Sequence, residues 1–192
     1  MKHREFIEQL EDTPIVAAVK DDRGLEKALA TDIGIIFILY GDVVTIPAIV
    51  DKVKEAGRTA FVHMDLIGGL VPKEPAVEYI RKSTRADGII TTRSKLVGPA
   101  EDMGLLTVLR FFLIDSIALE NVKKQGRPDM RQPDVIEILP GIIVPKLMQE
   151  IRRASRVPVM AGGLITEKAD VLNALDGGAI AISTTNEKVW ME

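Results

Sequence analysis

The sequence predicts an α/β protein, a compact single-domain TIM-like (β/α)8 barrel over residues 1–192. Three observations favour this fold. Eight short apolar runs rich in β-branched residues recur along the chain, amphipathic segments lie between them, and no low-complexity linker interrupts the series. An open doubly wound sheet is the alternative. The GxGxxG phosphate fingerprint typical of that fold is missing after the first run, where the sequence reads AAVKDDRG.

The eight apolar runs are continuous rather than alternating with polar residues, as expected for parallel strands covered by helices. In chain order they are 14–20 (PIVAAVK), 34–40 (GIIFILY), 59–66 (TAFVHMDL), 87–92 (DGIITT), 105–114 (LLTVLRFFLI), 134–140 (DVIEILP), 157–163 (VPVMAGG) and 178–184 (GAIAIST).

Five of the intervening segments predict helices with one apolar face. Gly57 follows the second segment, as is typical after the end of a helix. Pro145 starts the fourth segment, where the first turn of a helix accepts a proline. The predicted helices are 24–32, 46–56, 116–126, 145–156 and 167–176.

Composition excludes several classes of protein. The longest apolar run, IGIIFILYG, falls short of the roughly 18–20 residues that cross a bilayer, and the charged N-terminus is unlike a signal peptide, so we expect a cytoplasmic protein with no membrane partner. The absence of cysteine excludes disulfides, thiolate metal sites and cysteine nucleophiles. A net charge of −3 and 4% aromatic residues argue against non-specific nucleic-acid binding and a base-stacking platform.

Polar side chains interrupt the apolar runs near the ends where such barrels carry their chemistry. Lys20 ends the first run, His63 and Asp65 lie two apart in the third, and Arg110 and Glu137 stand inside the fifth and sixth. Burying these charges is costly unless they are paired or contact a ligand. Arg110 and Glu137 fit two interpretations, a ligand contact or a buried ion pair that closes the barrel interior.

The ends of the seventh and eighth runs together predict a phosphate site. The loops after strands 7 and 8 of this fold form a recurrent phosphate site. Gly162 and Gly163 would leave backbone N–H groups accessible to the anion, and the hydroxyls of Ser183, Thr184 and Thr185 would add donors.

Five blocks of sequence resemble the glycerol-3-phosphate-responsive antiterminator family, the regulators of the glycerol uptake operon. They are FVHMDLIGGL (61–70), ADGIITTRSKLV (86–97), LRFFLIDSIALEN (109–121), PDVIEILPGII (133–143) and VMAGGL (159–164). The resemblance implies a (β/α)8-like domain that binds glycerol 3-phosphate and acts on leader mRNA to prevent transcription termination. It implies no enzymatic reaction, and we expect no catalytic residue, cofactor or metal.

The chain departs from the family pattern at three positions near the end of the barrel where the ligand is expected. Leu109 replaces a glutamine that often precedes the strand-5 arginine, no basic residue lies near Ile165–Thr166, and strand 8 ends in ISTTN rather than Thr-Thr-Ser-Asn. For the glycerol moiety we predict contacts from Lys20, Asp65, Arg110 and Glu137, which fall at inward or terminal strand positions.

Two enzyme interpretations remain beside the sensor. An aldolase or isomerase acting on a small phosphorylated substrate would use Lys20 as a Schiff-base lysine. A glycerophosphodiesterase relative would need a divalent metal, for which Asp65 and Glu137 are the only obvious strand carboxylates.

RNA contacts in an acidic chain must be local and basic. The densest basic segment, Lys123, Lys124, Arg127 and Arg131, precedes the sixth run and is therefore predicted at the barrel face opposite the ligand. Two other clusters compete with it, Arg81, Lys82 and Arg85, and Arg152, Arg153 and Arg156. Exposed apolar helix faces would also allow a homodimer.

Overall fold

The computed structural model describes residues 1–143 and 145–191. Eight parallel strands pair in chain order, and β8 pairs with β1, so the sheet closes into a barrel. This confirms the predicted (β/α)8 barrel and excludes the open sheet. The strands are β1 (Ile15–Val19), β2 (Ile35–Ile38), β3 (Thr59–His63), β4 (Gly88–Thr91), β5 (Leu106–Phe112), β6 (Val135–Leu139), β7 (Val159–Gly162) and β8 (Ile182–Thr184).

Helices cover the outside of the barrel. Within the described ranges, α1 precedes β1, one α-helix follows each of the first seven strands, and a short 3-10 helix, Val189–Met191, follows β8. The α-helices are α1 (His3–Asp12), α2 (Asp22–Leu29), α3 (Ile46–Glu55), α4 (Glu74–Ser83), α5 (Val97–Asp102), α6 (Ser116–Gln125), α7 (Pro145–Ala154) and α8 (Lys168–Asp176).

The five predicted helices are present as α2, α3, α6, α7 and α8. Helix α2 begins and ends earlier than predicted because the Asp21 carboxylate caps it, accepting a hydrogen bond from the Gly24 N–H at 2.7 Å. Helices α1, α4 and α5 were not predicted. Helix α1 buries Phe6 and Leu10 in a segment otherwise rich in charged residues, and α5 has only six residues.

Several strands are shorter than predicted. The third ends at His63, and Met64–Leu66 form a 3-10 helix instead. The seventh begins after Pro158, which has no N–H to donate to a sheet. The eighth is confined to three residues, Ile182–Thr184. Lys20, Asp65 and Gly163 consequently lie in the segments that follow β1, β3 and β7 rather than on the strands.

Large side chains fill the amino-terminal half of the barrel interior. Phe6 and Leu10 of α1 are fully buried there, and the Phe6 ring lies 4.8 Å from that of Phe61 on β3. Phe37 lies against Phe61 from the other side, with ring centroids 5.5 Å apart. Helix α1 therefore closes the bottom of the barrel as part of its core.

A polar layer lies above these aromatic residues. Side chains two residues apart on a strand point to the same face. Inward-facing Phe61, Val108 and Val135 are therefore followed along their strands by inward-facing His63, Arg110 and Glu137. The interior changes from apolar to polar towards the carboxyl ends of the strands. Across the described residues, no helix combines the length and apolar character needed to span a membrane.

Candidate functional site: the carboxyl-terminal mouth of the barrel

Glu137 on β6 is the centre of the polar layer and is completely buried. Its Oε2 accepts a hydrogen bond from Arg110 Nε at 2.6 Å, and its Oε1 accepts one from the Ser183 hydroxyl. Both carboxylate oxygens are thus occupied by partners from the neighbouring strand β5 and from β8 across β7. The expected ion pair is formed, and it joins three strands inside the barrel.

Gly162 on β7 makes room for this cluster. A Cβ at position 162 would lie 2.4 Å from Glu137 Oε1 and 2.7 Å from Ser183 Oγ, closer than any side chain tolerates. The absence of a side chain at Gly162 is therefore required by the buried carboxylate beside it. The sequence prediction had assigned this glycine to anion access.

His63 lies in the same layer, almost fully buried. Its Nδ1 has no hydrogen-bond partner among the residues that the structure describes, and it lies 3.8 Å from Asp65 Oδ2, too far for a hydrogen bond. Burial, and secondarily the positive charge of Arg110, lower the pKa of His63 to about 4. The imidazole is consequently neutral at neutral pH.

A cavity of about 290 Å³ opens above the polar layer at the mouth of the barrel. Arg110 reaches it from below, and Gly163, Ser183, Thr184 and Thr185 line its side towards β7 and β8. The structure therefore brings five of the predicted site residues to one small cavity. The remaining lining residues are Ala18, Leu39, Leu139, Leu164, Ile165, Thr166 and Asn186.

The loop after β7 gives this cavity an unusual backbone. Gly163 has a φ of +75° and Leu164 a φ of +61°, a left-handed conformation that is costly for leucine. Within the described ranges, neither the Gly163 nor the Leu164 N–H donates a hydrogen bond. Two backbone donors at the edge of the cavity are thus free for a ligand.

The amino terminus of α8 is not available in the same way. Asp170 accepts hydrogen bonds from the N–H groups of Thr166 and Glu167 at 2.8 and 3.2 Å, and these bonds lower the pKa of its carboxyl group. A carboxylate of the chain itself thus occupies the position where an anion would meet this helix. The free donors near the cavity belong to the loop that precedes it.

Lys20 lies in a second cavity, of about 360 Å³, beside the first. Ala18, Thr185 and Asn186 line both cavities, so Thr185 stands between them. Lys188 lines the second cavity as well, although the sequence interpretation did not single it out. Asp21 and Glu187 line this cavity too, so its charged lining residues carry both signs.

Asp65 is not brought to either cavity. Its carboxylate accepts hydrogen bonds from the Thr92 N–H at 2.9 Å and from Arg93 Nε at 3.1 Å. These bonds fix the loop after β4 to the loop after β3. The prediction that Asp65 contacts a ligand stays a prediction, and the observed partners give it a structural role.

Asn186 is another lining residue that the sequence analysis did not assign to the site. Its side-chain amide donates to the Thr166 carbonyl oxygen at 2.9 Å, and its carbonyl oxygen accepts from the Lys188 N–H at 3.0 Å. It thereby ties the loop after β8 to the loop after β7. Its place directly after the predicted hydroxyl run Ser183–Thr185 was the only sequence signal available.

The described residues contain no group of three or more acidic, histidine or cysteine side chains able to hold a metal ion. The four residues predicted to bind RNA lie far from the mouth, on α6 and the segment before β6. Lys123 and Arg131 of this set are engaged by carboxylates of the chain.

Comparisons with known proteins agree with this geometry. The sequence model of the family described as glycerol-3-phosphate responsive antiterminator matches residues 15–190. Among curated proteins, the uncharacterized protein YgcP of Escherichia coli K12 is 40% identical over 181 residues, which cover 94% of this chain and 93% of that protein.

Solved structures include two similar proteins. The glycerol uptake operon antiterminator regulatory protein of Listeria monocytogenes is 32% identical with a TM-score of 0.86, covering 93% of this chain and 95% of that one. A glycerol uptake operon antiterminator-related protein of Thermotoga maritima is 31% identical with a TM-score of 0.77, covering 92% and 96%. Deoxyribose phosphate aldolase of Aeropyrum pernix, 16% identical with a TM-score of 0.67 and coverages of 98% and 96%, shares the fold alone.

Proposed function

This chain belongs to the glycerol-3-phosphate responsive antiterminator family, and on that premise we propose that it senses glycerol 3-phosphate. In the ligand-bound state it binds a leader mRNA and prevents transcription termination of genes for glycerol uptake and metabolism. It is a regulator in this proposal and catalyses no reaction.

The observation that carries the proposal is the cavity of about 290 Å³ at the mouth of the barrel. A volume at the lower end of the range of ligand sites suits a small molecule. The cavity offers free backbone donors at Gly163 and Leu164 and the exposed hydroxyl of Thr185. Such donors are suited to a phosphate group.

The floor of the cavity is suited to the glycerol end. Glu137 already neutralises Arg110, so this region presents hydrogen-bonding groups with little net charge. Within the described ranges only the Nε of Arg110 is hydrogen-bonded, which leaves its terminal N–H groups for hydroxyl oxygens. The dianionic phosphate would then lie outward, towards Gly163, Thr185 and Lys20. The hydroxyls of Ser183 and Thr184, which the sequence had suggested as further donors, instead donate to Glu137 and to the Ile165 carbonyl oxygen.

Calorimetric titration with glycerol 3-phosphate, glycerol and inorganic phosphate tests the proposal. We expect glycerol 3-phosphate to bind more tightly than either fragment. Thr185→Val removes one hydroxyl that would contact the phosphate, and the loss of a charge-assisted bond of about 1.5–3 kcal/mol weakens binding roughly 10- to 100-fold. Thr13→Val, which removes an exposed hydroxyl near the other end of the barrel, is the matched control.

Two results would contradict the proposal. One is equal affinity for glycerol 3-phosphate and inorganic phosphate, which would mean that the glycerol end is not recognised. The other is conversion of glycerol 3-phosphate to a new species, followed by phosphorus NMR, which would favour an enzyme. A gel-shift assay of a glycerol operon leader transcript, with and without glycerol 3-phosphate, tests the proposed RNA binding.

A further inference from the structure

The carboxyl ends of the helices, which point towards the face of the barrel opposite the ligand cavity, are rich in cations. Basic residues occupy the last turn of five α-helices, where they favour the helix dipole. In most of these turns a partner within the chain is present. Lys27 pairs with Glu187, Lys52 with Asp22, Lys54 with Asp87 and Lys82 with Glu78, and Arg81 donates to the Met103 carbonyl oxygen.

The segment that sequence reasoning favoured for RNA is partly neutralised in the same way. Lys123 pairs with Glu150 at 2.9 Å and with Glu120 at 3.2 Å, and the hydrogen bonds that it donates to these carboxylates raise its pKa. Arg131 pairs with Glu101 at 2.7 Å and with Asp102 at 3.2 Å. Binding a phosphate at either cation would require breaking these contacts.

Helix α7 is different. Across the described residues, Arg152, Arg153 and Arg156 form no ion pair and donate no side-chain hydrogen bond, and all three are exposed. The same holds for Lys124 and Arg127 at the end of α6. A Cβ on Gly126 would lie 2.2 Å from the Ala154 carbonyl oxygen, so the end of α6 lies directly against the end of α7. The five unpaired cations therefore form one continuous surface, which we call the α6–α7 basic edge.

A cavity of about 580 Å³ lies beside this edge, between the loops that lead into β7 and β8. Arg152 and Arg156 line it, and Glu11 of α1 is the only carboxylate among its lining residues. The cavity has no aromatic lining residue, so it is suited to the sugar–phosphate backbone rather than to stacked bases. Its other lining residues are Ser155, Val157, Pro158, Val159, Gly178, Ala179 and Ile180.

We propose that the α6–α7 basic edge and its cavity, with Arg152 and Arg156 as the central contacts, bind the phosphate backbone of single-stranded RNA. This inference rests on the proposed function, in which RNA is the partner, and it adds where the RNA lies. In a chain with a net charge of −3, affinity for a polyanion must come from cations that no carboxylate of the chain neutralises.

The test compares two variants that each lose two positive charges. Binding of a fluorescein-labelled leader transcript is followed by anisotropy as salt is varied, with saturating glycerol 3-phosphate. Arg152→Gln with Arg156→Gln should weaken binding at least tenfold and lower the slope of log affinity against log salt by about 1.4, since each single-strand contact contributes about 0.7. Lys123→Gln with Arg131→Gln, the matched control, should change affinity by less than about threefold.

A third variant guards against misfolding of the first. Glu11→Gln removes the carboxylate from the cavity lining and should tighten RNA binding about twofold, because it removes a repulsive charge. Weakened binding with Glu11→Gln, or equal losses in the two double variants, would overturn the inference.

The outcomes separate this inference from the function on which it rests. Parent protein that binds the transcript, with a salt slope unchanged by Arg152→Gln and Arg156→Gln, would refute the basic edge and leave the RNA function standing. Parent protein that binds glycerol 3-phosphate but not the transcript would refute both. Calorimetry with glycerol 3-phosphate should give the same affinity for all three variants, because the changes lie at the opposite face.

Discussion

Glu137 is a carboxylate without any exposure to solvent, and Arg110 is the cation that makes its burial tolerable. Removing one partner of a buried ion pair leaves an uncompensated charge, which costs about 3–5 kcal/mol. Replacing both partners with apolar side chains removes that penalty. The pair is thus expected to show strong coupling in stability.

A double-mutant cycle measures this coupling. We expect Arg110→Met and Glu137→Met each to lower the free energy of unfolding by about 3–5 kcal/mol, measured by urea denaturation. The double variant should lose less than the sum of the two single losses, and less than about 4 kcal/mol in total. Additive losses would show that the two side chains contribute independently.

His63 predicts a dependence of stability on pH. Its pKa of about 4 in the folded protein lies below the ordinary value of 6.5, so the unfolded chain binds more protons between these pH values. Stability contributed by the neutral imidazole is therefore complete above pH 6.5 and is lost as the pH falls towards 4. Between pH 7 and pH 5 we expect a loss of about 2 kcal/mol from this residue.

The measurement compares urea denaturation at pH 7 and pH 5 for the parent and for His63→Gln. The variant should lose about 2 kcal/mol less than the parent over this interval, while carboxyl groups contribute equally to both. His3→Gln, at the other and exposed histidine, serves as the control. The same pH dependence in parent and His63→Gln would mean that His63 titrates normally.

Helix α1 is an element that the barrel needs, although it precedes the first strand. Its polar face is exposed, whereas Phe6 and Leu10 fill the bottom of the barrel against Phe61. A helix rich in charged residues thus depends on two apolar side chains for its place in the fold. The barrel in turn depends on them to fill its interior.

We expect Phe6→Ala to lower the free energy of unfolding by about 3–5 kcal/mol, because it leaves a cavity in the closed interior. Glu8→Ala on the exposed face of the same helix removes only an exposed pair with Arg4 and should cost less than about 0.5 kcal/mol. Both values come from urea denaturation at pH 7. A loss below about 1 kcal/mol for Phe6→Ala would show that α1 is dispensable for the barrel.

Strands β7 and β8 connect the two faces of the barrel that carry the proposed binding sites. Val159 and Ile180 line the cavity beside the basic edge, whereas Gly163 and Ser183 line the ligand cavity. A ligand and an RNA bound at these two faces would contact the opposite ends of the same two strands. Coupling between the sites would then have a short path through the core.

For a sensor, the two binding free energies must be coupled reciprocally. We expect glycerol 3-phosphate to tighten binding of the leader transcript, and the transcript to tighten binding of glycerol 3-phosphate by the same factor. Anisotropy gives the first factor and calorimetry the second, at one salt concentration. RNA affinity that does not change with glycerol 3-phosphate would contradict the sensing function.

The sequence by itself determined the eight strands, five of the helices and the ends at which polar residues collect. These features follow from local periodicity and from turn residues, which act within a few positions of the chain. For the same reason the hydroxyl run Ser183–Thr185 and the pair Gly162–Gly163 could be placed at the carboxyl-terminal mouth of the barrel from the sequence. Helix α1 was not predicted, although Phe6 and Leu10 lie four positions apart and share its buried face.

Only the tertiary structure decided which of the polar residues meet. Closure of the barrel places Ser183 against Glu137, 46 positions away. It also places Gly162 beside that carboxylate, which occupies the space that a side chain at position 162 would need. It also directs Asp65 to Arg93 and away from the cavity. Among the cations of the described residues, Lys123 and Arg131 pair with carboxylates, whereas Arg152 and Arg156 form no ion pair. Whether a cation is neutralised depends on its distance from carboxylates that are remote in sequence, and these distances are set only when the barrel closes.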